Sequence, residues 1–123
     1  MNVLVLAYIG DSIYELKVRN HFISLGNVNE IQKVVIKYVS AKGQAKFVTY
    51  LLENDILNEE EISIFKRAKN HKSNHKPKNT SIITYKTATG LEAIFGHLYL
   101  NNGFNRIDYL INLLFVSKII EGE

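Results

Sequence analysis

The sequence contains no cysteine. Disulfides, thiolate-bound metals, iron–sulfur clusters and cysteine nucleophiles are therefore excluded. It has a single proline, Pro77, and no apolar run near the roughly 20 residues of a spanning helix. Neither a GxGxxG nor a GxxxxGKS/T motif is present, so nothing points to a nucleotide-phosphate loop. The opening Met1–Gly10 stretch has no basic flank and soon meets Asp11, which makes a poor secretory signal. A soluble cytoplasmic protein without membrane attachment is the expectation.

What is there suits one folded domain spanning residues 1–123. Hydrophobic residues make up 46% and charged residues 22%, a balance that excludes a disordered chain. The net charge of +3 hides a strong partition. Residues 62–91 contain no acid but carry Lys66, Arg67, Lys69, Lys72, Lys76, Lys78 and Lys86. An acidic cluster, Glu53, Asp55, Glu59, Glu60 and Glu61, lies just before them. Such a strip suits phosphate contacts on a nucleic acid, with a solvated lysine-rich loop as the plain alternative.

Most segments have helical spacing. Ile9, Ile13, Leu16 and Phe22 recur at helix-like gaps between Val3 and Leu25. Asn29 is expected to cap a second pattern through Ile31, Val34, Val35 and Tyr38, which resumes at Ala45, Val48 and Leu51; whether Gly43 divides it is open. Asn58 followed by three glutamates opens a third helix, favoured by the helix dipole, that ends near Lys69. Residues 70–80 read as a loop. A fourth helix is expected from about Thr84 to Leu100 and a last from about Asn105 to Ile120. The fold class is all-α, with five to seven helices.

Two carboxylates interrupt strongly apolar helical runs: Asp11 and Glu92. An unpaired buried carboxylate is costly and needs a cation or a hydrogen-bonding partner. Each has small residues and a tyrosine on its own helix face: Ala7, Tyr8 and Tyr14 around Asp11; Ala88, Gly96 and Tyr99 around Glu92. Two such helices packed together could hold one Mg²⁺, a hard ion that takes oxygen ligands and keeps several waters. Pattern alone leaves open that both acids lie on solvated helix borders or pair with lysines.

The segments Leu6-Ala7-Tyr8-Ile9-Gly10-Asp11-Ser12-Ile13-Tyr14-Glu15 and Ala88-Thr89-Gly90-Leu91-Glu92-Ala93-Ile94-Phe95-Gly96-His97-Leu98-Tyr99-Leu100 resemble the two catalytic motifs of the ribonuclease III family. The resemblance is closest to its short Mini-III branch, which lacks a double-stranded-RNA-binding domain. Val39-Ser40-Ala41-Lys42-Gly43-Gln44, Pro77-Lys78-Asn79-Thr80 and Thr84-Tyr85-Lys86 extend it in register over roughly residues 3–110.

The resemblance implies a homodimeric, all-helical endonuclease that hydrolyses double-stranded RNA with Mg²⁺, Mn²⁺ being able to substitute. It implies 5′-phosphate and 3′-hydroxyl ends and, in bacteria, a role in maturing the 23S ribosomal RNA precursor. Asp11 and Glu92 match the family's catalytic, metal-binding acids. Two further family acids are absent, since their positions are Ala7 and Thr89; fewer carboxylates imply more water around the metal. Mini-III chains usually carry residues before the first motif, so either a trimmed start or a missing N-terminal helix is the expectation. Tyr8 matches an aromatic position at the family's dimer interface; packing in the chain's own core is the alternative.

Without a separate binding domain, phosphate contacts fall to Lys66, Arg67, Lys69, Lys72, Lys76 and Lys78, with Lys42 and Gln44 as weaker candidates. Duplex RNA is read mainly by shape, phosphates and 2′-hydroxyls, so loose sequence preference is expected. Glu15 lies one turn after Asp11 and serves either as a supporting group or as a surface acid. His71 and His75 fall in the loop and suit RNA or solvent better than metal; His21 and His97 read as structural. Ser12 and Ser40 have no neighbours that would make a hydrolase triad. Two other readings stay open: a duplex-binding module that has lost its chemistry, and a helical dimerisation scaffold.

Overall fold

Side-chain caps decide where the helices begin. In the computed structural model, which describes residues 1–72 and 80–121, six helices run as α1 (Val3–His21), α2 (Val28–Val39), α3 (Ala41–Glu53), α4 (Glu59–Lys69), α5 (Ile82–Leu100) and α6 (Phe104–Val116). The all-α expectation holds, and no described residue lies in a strand. None of these helices is long and apolar enough to cross a membrane.

Two expected boundaries are corrected, and the open question of a break near Gly43 is settled. Asn27, not Asn29, caps α2: its side chain accepts from the Glu30 amide at 2.9 Å while Glu30 accepts from the Asn27 amide at 3.0 Å. This reciprocal pair satisfies two donors that the helix leaves open. The break between α2 and α3 falls at Ser40 rather than Gly43. Ser40 is extended (φ −63°, ψ 158°), and its hydroxyl accepts from the Gly43 amide at 3.2 Å, so it ends one helix and starts the next. The last helix also stops at Val116, short of Ile120, with Lys118 in the left-handed region at φ 56°.

Helix α5 is the hub, with α1, α3 and α4 packed around it. From Thr87 to Gly96 every residue except Glu92 is buried. A helix apolar on all sides needs neighbours on all sides. Phe95, Leu91 and Ile94 meet Tyr14 of α1 and Phe47 and Leu51 of α3 in the core. Tyr14 stands edge-on to Phe95 at 5.5 Å, and its hydroxyl donates to the Tyr38 carbonyl at 2.9 Å. That bond satisfies the one polar atom the ring takes into the core.

One buried ion pair ties the start of α4 to α6. Arg106 donates from Nε to Glu61 Oε2 at 2.9 Å and from a terminal nitrogen to Oε1 at 2.7 Å. The same nitrogen reaches the Ile56 carbonyl at 2.7 Å. Glu61 is 1% exposed and also closes the capping box with Asn58. Its charge is thus fully hydrogen-bonded, the condition under which a buried carboxylate is tolerated. Arg106→Met strands that charge and should lower unfolding stability by about 3–5 kcal/mol in urea denaturation; a loss under about 1 kcal/mol, typical of exposed pairs, would contradict this role.

Candidate active site

The site is built by a backbone-to-backbone crossing of α1 and α5. A methyl group on Gly10 would overlap the carbonyl oxygen of Glu92, and one on Gly96 would overlap that of Leu6. The pairs Gly10–Glu92 and Leu6–Gly96 are each one helical turn from the other, so the helices run antiparallel there. No side chain separates them at either point. Asp11, the residue after Gly10, is thereby held beside the Glu92 side chain.

The two carboxyl groups lie within hydrogen-bonding reach. Burial pushes the Glu92 carboxyl up to about 9; a hydrogen bond that its protonated form donates to Asp11, and the Asp11 charge, push the same way. The Glu15 charge adds to this and the Gln44 amide opposes it. Gln44 is 2% exposed, and its Nε2 closes no hydrogen bond of good geometry, so it acts on Glu92 as a nearby dipole. Glu15 itself is held by Arg19 at 3.2 Å, one turn along α1.

Both acids line a cleft of about 250 Å³. Ala7 and Tyr8 join Asp11 from α1, and Thr89 joins Glu92 from α5. The Thr89 hydroxyl donates to the Tyr85 carbonyl at 3.0 Å, and Ala7 carries no polar atom. Among the described residues no group of three or more His, Asp or Glu is placed so that it could hold a metal ion, so the two acids would hold one with water completing its shell. Two adjoining carboxylates, one of which resists ionising beside the other, are donors that suit a divalent, oxygen-seeking cation retaining several waters. The residues therefore fit Mg²⁺ or Mn²⁺.

The other expected residues divide. Tyr8 is 78% exposed, which removes the core-packing alternative. Lys66 and Lys72 are exposed, on α4 and just past its end. Lys69 lies over the Phe65 ring at 5.8 Å. These flank Ala68 and His71, which form the cleft's far wall. Arg67 points elsewhere, into a separate hollow with His97 and Asn101. Lys76, Lys78 and His75 lie outside the described residues. Lys42 is exposed beside Lys37 and Lys46 at the start of α3, away from the acids. His21 stacks on Phe115 at 3.6 Å and His97 lies 3.1 Å from Glu60, both structural contacts. Ser12 is exposed and Ser40 is a helix cap, so neither forms a triad.

Sequence reasoning named Tyr85, Lys86 and His71 but did not place them beside the two acids. Tyr85 and Lys86 precede Glu92 by about two turns on one helix, a signal that was available. His71, expected in the loop as an RNA or solvent contact, lines the cleft instead, with its Nδ1 buried and without a hydrogen-bond partner.

Residues 4–103 match the Ribonuclease III domain family. An all-helical domain with this match is a ribonuclease III-type endonuclease, and the chain belongs to the ribonuclease III family, in its Mini-III branch. It is 45% identical to the Mini-ribonuclease 3 of Clostridium tetani over 130 residues, covering all of this chain and 85% of that protein. With the Mini-ribonuclease 3 of Brevibacillus brevis it shares 43% identity over 124 residues, 99% of this chain and 90% of the other. A crystal structure of a Fusobacterium nucleatum protein superposes with a TM-score of 0.85 at 35% identity, covering 96% and 94% of the two chains.

The raised Glu92 pKa sets a sign for stability. Its folded value, about 9, lies above the ordinary 4.5, so the contribution is full below about pH 4.5 and is lost as pH rises through 9. In metal-free buffer Glu92→Gln, which cannot ionise, should gain thermal stability over the parent as pH rises from 5 to 9, by several degrees at the alkaline end. Melting temperatures that stay parallel across that range would refute the burial of this charge.

Proposed function

We propose that the chain cleaves double-stranded RNA by metal-dependent hydrolysis, with Asp11 and Glu92 holding Mg²⁺ or Mn²⁺. The convergence of these two acids in one cleft, at the α1–α5 crossing, carries this reading. The names of the relatives support the reaction class. A divalent ion bound there supplies Lewis acidity, lowering the pKa of a water and offsetting charge on the phosphodiester.

The chain's own residues do the rest. Gly10 and Gly96 set the spacing of the acids. Asp11 is exposed and meets solvent, whereas Glu92 sits deeper, where the Gln44 dipole favours its ionised form. No side-chain nucleophile is needed, because water attacks phosphorus and the bond to the 3′ oxygen breaks. The products carry 5′-phosphate and 3′-hydroxyl ends. Lys66, Lys69 and Lys72, beside the cleft wall, neutralise phosphates of the flanking duplex, and Arg67 contacts phosphates farther from the cut. Lys76 and Lys78 continue this basic strip in the sequence.

The active form is a homodimer. Val5, Tyr8 and Leu16 expose an apolar stripe along α1, spaced at helical intervals and uncovered by any described residue. Tyr8 sits on this stripe and at the cleft's rim, so a second chain docked there would frame both sites. The substrate we expect is the bacterial 23S ribosomal RNA precursor, which places the reaction in the cytoplasm.

Labelled duplex RNA separates this from the reading that the absent acids at Ala7 and Thr89 favour, a binding module without chemistry. The protein should cut duplex in Mg²⁺ or Mn²⁺ and spare single strands. Asp11→Asn should lower cleavage at least 10²-fold while the melting temperature and duplex retention stay close to the parent's. Retention without cutting by the parent would support the binding module, and near-parental cutting by Asp11→Asn would reject the site.

A further inference from the structure

Lys86 shares the cleft with Asp11 and Glu92. It stands six residues before Glu92 on α5, about 9 Å along the helix axis. Its side chain is half-buried. A lysine whose task was to balance the two acids would lie against them. Lys86 does not: the ion pairs found place no carboxylate of a described residue within 4 Å of its ammonium. The side chains that shift the Glu92 carboxyl are Asp11, Gln44 and Glu15, without Lys86. The cleft thus has an acidic pole and a cationic pole held apart, with Thr89 between them on the helix.

A cleft divided in this way suits a ligand with negative charge of its own, seated between a cation at the acids and the ammonium. In a duplex the group of that size and charge is the backbone phosphate. An ammonium donates strong, charge-assisted hydrogen bonds to a phosphate oxygen.

We propose that Lys86 is a catalytic residue that binds a non-bridging oxygen of the phosphate being cut. This rests on the hydrolytic reading above. Hydrolysis adds a water oxygen to phosphorus and breaks the bond to the 3′ oxygen. The leaving oxygen keeps the bonding electron pair and gains a proton; the second water proton passes to solvent. Negative charge grows on the non-bridging oxygens as water attacks, so a contact there is stronger in the transition state than in the bound duplex. Lys86 therefore acts on the rate of cutting more than on duplex affinity. The lysines of α4, which meet phosphates away from the cut, act on affinity.

Lys86→Met and Lys86→Arg test this against the parent. In single-turnover cleavage at saturating duplex, Lys86→Met should be slower by about 10²-fold, and Lys86→Arg should recover a tenth or more of the parental rate. Duplex retention in metal-free buffer, followed across salt, should change less than about 3-fold near 0.1 M and lose about one unit of log–log slope. All three proteins should melt at similar temperatures. Near-parental cutting by Lys86→Met overturns the proposal. So does slow cutting that arginine fails to rescue, or a fall in melting temperature that accounts for the loss, since either makes Lys86 structural. If the parent itself cuts no duplex in Mg²⁺ or Mn²⁺, it is the hydrolytic reading that fails.

Discussion

Helices α1 and α5 approach so closely at Gly10 and Gly96 that neither position has room for a methyl group. Nearly everything about the site follows from that approach. It brings Asp11 to Glu92 across 81 positions of chain without a loop to hold either residue. It sets them on two rigid helices rather than on mobile segments, the arrangement that keeps paired groups in register. The surrounding core serves the same end. Tyr14, one turn beyond Gly10, packs on Phe95, one residue before Gly96, so the crossing is clamped by aromatic packing from its buried side.

The crossing also creates an electrostatic conflict. Two carboxyl groups share a half-buried space, and one of them is driven far from its ordinary ionisation. In a purely structural setting such a pair would carry a lysine or arginine partner. The fold shows that it can supply one: Glu61, more deeply buried, receives a two-pronged guanidinium from Arg106 and the Asn58 amide. Asp11 and Glu92 are given no such cation from the described residues, although Lys86 stands in the same cleft. The contrast separates a carboxylate that stabilises from a pair that awaits something else.

Much of the architecture was legible in the sequence. Asn58 with its glutamates marked α4 to the residue, because capping chemistry is local. Whether the run from Ile31 to Leu51 divides at Gly43 was left open by the pattern; Ser40 divides it, because an extended serine caps as well as interrupts. Asp11 and Glu92 stood out as acids in apolar runs, and the family resemblance named them. Their meeting was not legible, since it depends on a helix crossing that no local pattern reports, even though both glycines were in view. The Arg106–Glu61 pair, 45 positions apart, was invisible for the same reason. Lys86 was counted among the seven basic residues of one strip, and its spacing from Glu92 on the same helix, which sets it apart, was passed over.

Anomalous scattering from manganese in crystals of active protein tests the shared role of the two acids most directly. One peak is expected, about 2 Å from a carboxylate oxygen of Asp11 and equally close to one of Glu92 or joined to it through a single water. Manganese bound elsewhere, in protein that still cuts duplex RNA at full rate, would contradict it.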